Sequence, residues 1–339
     1  MSKEARQQVA AHLGCLPVEV IFTSGGTEGD NLALKGMLNA GNHLIVSAIE
    51  HSAILSTCTW LEKQGWEVTR VGVNSRGQVE PASIKAALRK NTRLISVMMA
   101  NNETVVLQPV EEISCIAAEA DVWFHTDAVQ AAGKVPISVG KIGCDLLTVP
   151  AHKFHGPQGV GALFVRRGTP LRPQLHGGHQ ERRRRPGTEN VAGIAGLGRA
   201  SQIALAGLTD GSTERLATLR DRLESAVTTL VPEARVNGKG APRVPNTSNI
   251  LFEHVGGDAL VLALDELGIA ASRGSACSAG AADPSSVLMA MGLNGEQSRS
   301  SLRFSLGKQN TVDEIESAIA AIPVSVRKLR EESAVFWRA

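Results

Sequence analysis

The chain predicts an α/β fold: a large domain built on a mostly parallel sheet, followed by a smaller C-terminal α+β domain. Three observations carry this. Short apolar runs of β type alternate with amphipathic helical stretches through the first two thirds of the chain. Polar residues with chemical potential follow directly after the predicted strands. Near Ala200 to Asp210 the alternation gives way to one long helical stretch and then a Gly/Pro-rich segment.

The elements follow in order. Ser2 to Leu13 reads as a helix stopped by Gly14. Val20 to Thr23 is a short strand running into Gly25-Gly26, with the next helix expected to begin near Glu28. His43 to Ala48 is a strand, Ala53 to Gln64 a helix and Arg93 to Met99 a buried strand. Val110 to Ala120 is a helix and Val122 to His125 a strand. Leu146 to Val149 and Gly161 to Arg166 are two further strands. A boundary near residue 210 divides the chain into domains 1–210 and 211–339, the second opening with the helix Ser212 to Leu230 and the loop-like stretch Asn237 to Pro245.

Composition narrows the function. Of 339 residues 43% are hydrophobic and 20% charged, enough apolar material for a sizeable core and too much for a disordered chain. With 35 Lys plus Arg against 33 Asp plus Glu, the formal charge of +2 argues for neither stable nucleic-acid binding nor an anionic membrane. No apolar run approaches the roughly 18 residues of a membrane span. The start, MSKEARQQV, has no apolar core of a secretory signal. Cys15, Cys58, Cys115, Cys144 and Cys277 are scattered and odd in number, which suits a reducing, cytoplasmic setting rather than a disulfide framework or a zinc site.

Five segments bring polar groups to predicted strand ends, where open α/β sheets form their ligand crevice: Gly25-Gly26-Thr27, His51, Asn101-Asn102, Asp127 and Lys153. Ser24-Gly25-Gly26-Thr27 is either a phosphate cup at a helix N-terminus or an ordinary tight turn. Asp127 is either the partner of a cationic ring nitrogen or a helix cap. Lys153, in Ala151-His152-Lys153-Phe154-His155-Gly156-Pro157, is either a desolvated Schiff-base nucleophile or a loop lysine. His51 would stack on a flat cofactor or act as acid and base; otherwise it is a hydrogen-bonded structural histidine. Cys277 lies in the Gly/Ser-rich run Ser272 to Gly280, which suits an accessible thiol, whereas the other four cysteines read as small buried hydrophobes. Arg303 alternates with apolar neighbours as in a half-buried strand and would clamp a carboxylate if it points inward. Together the parts describe a pyridoxal-phosphate enzyme acting on an amino acid, with a cysteine nucleophile added.

At this point the sequence resembles the cysteine desulfurases of the NifS/IscS type, within the class V aminotransferases. The segments that carry the resemblance are FTSGGTEGDNLALKG (22–36), EHSAI (50–54), NNET (101–104), HTDAVQAAGKVPI (125–137), AHKFHGPQGVGALFVRRG (151–168), HGGHQERRRRPGTEN (176–190), SRGSACSAG (272–280) and SLRFSLG (301–307). They run in family order through almost the whole chain. The resemblance implies the fold type I architecture of pyridoxal-phosphate enzymes and a homodimer. Lys153 would hold pyridoxal 5'-phosphate as a Schiff base, Asp127 would pair with its ring nitrogen, His51 would stack on the ring and Gln130 would bond the ring hydroxyl. Gly26, Thr27 and His152 would hold the phosphate, with Thr188 reaching in from the other subunit. Asn102 and Arg303 would hold the carboxylate of L-cysteine. Cys277 would take the substrate sulfur as a persulfide, releasing alanine, and pass it to an acceptor such as an iron–sulfur scaffold or a thiolation protein.

The sequence also departs from the family pattern. Family members usually carry a further segment in front, so a short native start, a fragment and a misplaced initiator methionine are all open. Pro150 replaces a serine, Val105 follows NNET where glycine is usual, and His179 and Pro186 replace a glycine and a serine. A lyase acting on selenocysteine or a cysteine conjugate, and a non-catalytic scaffold paralogue, are the competing readings. The run Arg182 to Arg185 is either a solvated or phosphate-neighbouring loop, the favoured reading, or a surface for an acidic partner or tRNA.

Overall fold

The computed structural model describes residues 1–37, 42–274 and 283–336, with side chains to residue 332. Two compact units emerge. The first comprises 1–73, 79–101 and 107–210, and the second 74–78, 102–106 and 211–339. The short segments 74–78 and 102–106 thus belong with the C-terminal part although they precede residue 210. Backbone pairing explains the second of these, since Val106 bridges Arg243 and the Val244 N–H donates to the Val105 carbonyl at 3.0 Å.

The first unit holds a seven-stranded sheet. Its strands are β1 (Val20–Thr23), β2 (His43–Ser47), β3 (Glu67–Val71), β4 (Thr92–Ser96), β5 (Trp123–Asp127), β6 (Leu146–Pro150) and β7 (Gly161–Val165). Their order is β1-β7-β6-β5-β4-β2-β3. Strands β6, β5, β4, β2 and β3 are mutually parallel, while β7 is antiparallel to both β6 and β1. Two reversals cancel, so β1 runs with β6, and its carboxyl end lies on the same sheet edge. The central strands are almost entirely buried, as expected of a sheet covered on both faces, whereas the edge strand β3 is largely accessible. Strand β3 carries no clean alternation, which is why it is absent from the sequence reading.

Local chemistry sets the helix ends. Helix α1 (Ser2–Leu13) stops at Gly14, whose φ of 68° lets its N–H return to the Ala10 carbonyl. Helix α2 (Gly26–Gly36) begins two residues earlier than expected, so the glycine–threonine pair forms its first turn rather than a preceding loop. A Cβ on Gly29 would sit 2.7 Å from the Thr148 methyl, so this glycine lets α2 lie close against β6. Helix α3 (Ser52–Lys63) is capped by His51. Strand β4 ends at Ser96, short of the expected Met99, although Val97 and Met99 still donate to the carbonyls of His125 and Asp127. Pro150 costs little because it is the last residue of β6 and lies beyond the pairing with β5.

The second unit holds an antiparallel sheet of β8 (Ala234–Val236), β9 (Thr247–Phe252), β10 (Ser272–Arg273) and β11 (Ser301–Ser305), in the order β10-β11-β9-β8. Leu219, Leu223 and Val227 of helix Ser212–Leu230 and Ile315 and Ile322 of helix Val312–Phe336 pack with Ile250, Phe252, Leu302 and Phe304 into its core.

Candidate active site

Within the first unit, five segments deliver polar groups to one edge of the sheet. The cup Ser24–Thr27 follows β1, His51 follows β2, Asn101 follows β4, Asp127 ends β5 and Lys153 follows β6. The three adjacent strands β4, β5 and β6 place the last three side by side.

The cup is built by close backbone approach. A Cβ on Gly26 would meet the Val129 methyl at 2.9 Å, and one on Gly161 would meet the Gly25 Cα at 2.9 Å. Gly26 and Thr27 are the first residues of α2, so their N–H groups lie at the positive end of the helix. Thr27 is exposed. The Ser24 N–H donates to the Glu28 carboxylate at 2.7 Å, and Arg185 grips the same carboxylate through Nε at 2.7 Å and Nη2 at 3.1 Å.

Asp127 is 3% exposed, and its Oδ1 accepts the Val129 N–H at 2.7 Å. Burial pushes its pKa up to about 6, against the opposing pull of that N–H and of the Lys153 charge. Such a carboxyl is short of a cationic partner. The His51 Nδ1 accepts the Ala53 N–H at 3.1 Å, so the ring presents a fixed edge to the cap of α3. Burial, then the Lys153 charge, lowers its pKa, which keeps the imidazole neutral at pH 7. Lys153 is accessible, on the turn His152–Phe154, and its charge is felt by His51, His152 and Asp127 alike. His152 is exposed beside it, its pKa lowered by partial burial and by Lys153. The Gln130 Oε1 accepts from Lys134 Nζ at 2.9 Å. Thr188 is exposed in the segment that Arg185 ties down.

Within the second unit, Arg303 on β11 and Asn102 meet. The Arg303 Nη1 donates to the Asn102 carbonyl at 2.6 Å and Nη2 to the Ser272 hydroxyl at 3.4 Å. The guanidinium is half-buried, and desolvation lowers its pKa, partly offset by Glu103. Cys277 lies outside the described residues. Of the other cysteines, Cys58 and Cys144 are buried, with thiols pushed up to about 12, and Cys15 is partly buried. Cys115 departs from expectation: it lies on the outer face of helix Val110–Glu119 and is exposed. Helical periodicity separates it from the inward Ile113, Ser114 and Ala117.

Sequence reasoning missed a carboxyl cluster under the site. Asp30 and Glu50 are almost fully buried, and each has one oxygen without a hydrogen-bond partner. Burial pushes Glu50 up to about 8, against hydrogen bonds from the Ser47 hydroxyl and the Met98 N–H. Asp30 is raised well above the usual range by burial and by Asp127. The neighbouring His125 is pushed down to about 3 by burial and bonds Ser96 and Thr148 instead of carrying a charge. The signal was present as acidic residues beside the GGT and EH motifs. Only packing shows that they point inward. Two arginines of the run bond within the protein, which residue types alone do not show: Arg182 donates to the Val20 carbonyl at 3.0 Å and Arg185 to Glu28.

Comparison with known proteins now places the chain. The aminotransferase class-V family model matches residues 1–317. The chain belongs to the class-V aminotransferases. It is 47% identical to a cysteine desulfurase IscS of Methanosarcina thermophila over 97% of this chain and 82% of that one. It is 45% identical to a cysteine desulfurase IscS of Dictyoglomus turgidum, over 97% and 84%. Among solved structures, a NifS-like protein from Rickettsia africae superposes with a TM-score of 0.86 at 32% identity, covering 96% of this chain and 87% of that one. A structure of SspA in complex with cysteine superposes at 0.79 and 34% identity, over 91% and 87%. The fold is that of the NifS-like fold type I enzymes, and the cofactor is pyridoxal 5'-phosphate. The residues present fit it: a glycine cup at a helix N-terminus suits the phosphate, and a buried carboxyl in need of a cation suits a protonated ring nitrogen. Among the described residues no single helix is long and apolar enough to cross a membrane.

Proposed function

We propose that this class-V aminotransferase acts as a cysteine desulfurase, converting L-cysteine to L-alanine and placing the sulfur on Cys277. The observation that carries the reading is the placement of Asp127 and Lys153 at the carboxyl ends of the adjacent strands β5 and β6, on the sheet edge that also bears the glycine cup. The 45–47% identity to curated cysteine desulfurases over nearly the whole chain supports the substrate and disfavours the selenocysteine-lyase and scaffold readings.

When bound, pyridoxal 5'-phosphate supplies an electron sink for the charge left at the substrate Cα when its proton departs. Lys153 would hold the cofactor covalently, and its amine would take up and return the proton at the substrate Cα. Asp127 would keep the ring nitrogen protonated, and that cation would offset the burial that raises the Asp127 pKa and hold the carboxylate ionised. The neutral imidazole of His51 stacks on the ring, and Gln130 donates to the ring hydroxyl. Gly26, Thr27 and His152 hold the phosphate, joined by Thr188 of the partner subunit. Arg303 and Asn102 grip the substrate carboxylate, the planar guanidinium fixing its orientation. The Cys277 thiolate would attack the substrate sulfur, forming an S–S bond while the electrons of the broken C–S bond stay with Cβ, which takes up a proton before the skeleton leaves as alanine. The persulfide is the store from which an acceptor of iron–sulfur or thio-cofactor assembly is loaded. The protein works as a cytoplasmic homodimer, without membrane or stable nucleic-acid contact.

The test is the visible spectrum of the purified protein before and after borohydride, then with L-cysteine. A yellow band abolished by borohydride, pyridoxyl on the Lys153 peptide, and alanine formed with a persulfide at Cys277 are expected. A protein that stays colourless with added pyridoxal phosphate would overturn the reading.

A further inference from the structure

The segment from Gln180 to Gly187 is held against β1 and the cup in a costly conformation. Glu181, Arg182 and Arg183 have φ of 47°, 56° and 64°, a left-handed run of three residues none of which is glycine. Such strain persists where the surroundings over-determine it. Here they do. The buried Glu181 carboxylate takes Arg6 Nη1 at 2.9 Å, Arg6 Nη2 at 2.5 Å and the Phe22 N–H at 3.2 Å. Arg182 donates to the Val20 carbonyl, and the Gly187 N–H closes on the Gln180 Oε1 at 3.2 Å. The result of this bracing is the position of Arg185, whose guanidinium forks onto Glu28.

Glu28 is an awkward neighbour for a phosphate. It is the third residue of α2, so its carboxylate sits in the helix turn whose free N–H groups attract an anion. It already takes the Ser24 N–H at 2.7 Å. Unpaired, it would compete for the positive helix end and repel a dianion. We propose that Arg185 is a positioning residue for the cofactor phosphate: it neutralises Glu28 and holds that carboxylate on the Ser24 N–H, leaving the first turn of α2 open to the dianion. This rests on the reading of the cup as the phosphate site. Both partners are about one quarter exposed, at 24% for Arg185 and 22% for Glu28, so the effect is screened by salt but not abolished.

A charge role and a purely structural role predict different patterns. The proteins to compare are the full-length wild type, R185Q, E28Q, R185K and E28Q/R185Q. Each apoprotein is titrated with pyridoxal phosphate, followed by absorbance, and separately with inorganic phosphate, followed by the rise in melting temperature, at low and high salt. R185Q leaves Glu28 uncompensated and should weaken both ligands by about ten-fold at low salt, less at high salt. E28Q, which removes the repulsion, should stay within about two-fold of wild type, and the double variant should recover to within about three-fold. R185K keeps the charge and should stay near wild type. Equal losses in E28Q and R185Q without recovery in the double variant would overturn the proposal, as would no effect of R185Q. If R185Q fails to fold, E28Q against E28Q/R185Q and R185K gives the same decision. Wild type that binds phosphate but never yellows would remove the enzymatic reading while the Arg185 comparison still stands on phosphate alone. Wild type that binds neither would overturn both.

Discussion

Replacing Glu50 by glutamine should stabilise the protein increasingly as the pH rises from about 5 to about 8 and do little below about pH 5. Glu50 is 3% exposed, its Oε1 accepts the Ser47 hydroxyl and the Met98 N–H, and its Oε2 meets no donor. Burial raises its pKa in the folded protein to about 8. The folded state therefore holds a proton that the unfolded chain loses near pH 4.5. Stability falls wherever the folded state binds more protons than the unfolded one, here between about pH 4.5 and pH 8. At about 1.4 kcal/mol per pH unit, the penalty is about 3 kcal/mol at pH 7 and about 5 kcal/mol above pH 8. Glutamine mimics the neutral acid: it keeps the accepting oxygen and carries no ionisation cost. Urea unfolding of wild type and E50Q from pH 5 to pH 9, with cofactor saturating in both, measures the difference. The two stabilities should lie within about 1 kcal/mol at pH 5 and diverge by about 1.4 kcal/mol per unit up to pH 8, E50Q being the more stable. Parallel profiles, or a loss of stability in E50Q at pH 8, would refute the reasoning.

Three further substitutions have signs set by the structure. Gly26→Ala places a methyl 2.9 Å from the Val129 side chain and should open the cup, lowering pyridoxal phosphate affinity by about ten-fold, measured by absorbance titration. Arg183→Gly relieves a left-handed residue at φ 64° on the exposed surface, and a gain of about 1 kcal/mol in chemical unfolding is expected. Val105→Gly meets opposing effects. Its φ of 58° is strained for a β-branched residue, worth about 1–2 kcal/mol on relief, but the side chain is 2% exposed, and losing it together with the added chain entropy costs about 3 kcal/mol. The loss wins, so V105G should be about 1–2 kcal/mol less stable, although glycine suits the backbone better. A V105G protein more stable than wild type would show that strain dominates.

The sequence alone determined the alternation of strands and helices, the glycine turn after β1, and the arrival of His51, Asp127 and Lys153 at strand ends. Each of these is local. Apolar runs, glycine pairs and strand-terminal polar residues keep their meaning whatever the rest of the chain does. The motif order then pointed to the family without any contact being known. Tertiary structure alone decided three other matters. It ordered the strands so that two antiparallel joints return the carboxyl end of β1 to the edge shared with β5 and β6. It turned Asp30 and Glu50 inward, where desolvation raises the pKa of both; in sequence they are indistinguishable from surface carboxylates. It also paired Arg185 with Glu28 and Arg6 with Glu181, partners separated by 157 and 175 residues. The reason is common to all three. Burial and ion pairing depend on which distant segments approach, and no local pattern of residue types records that approach.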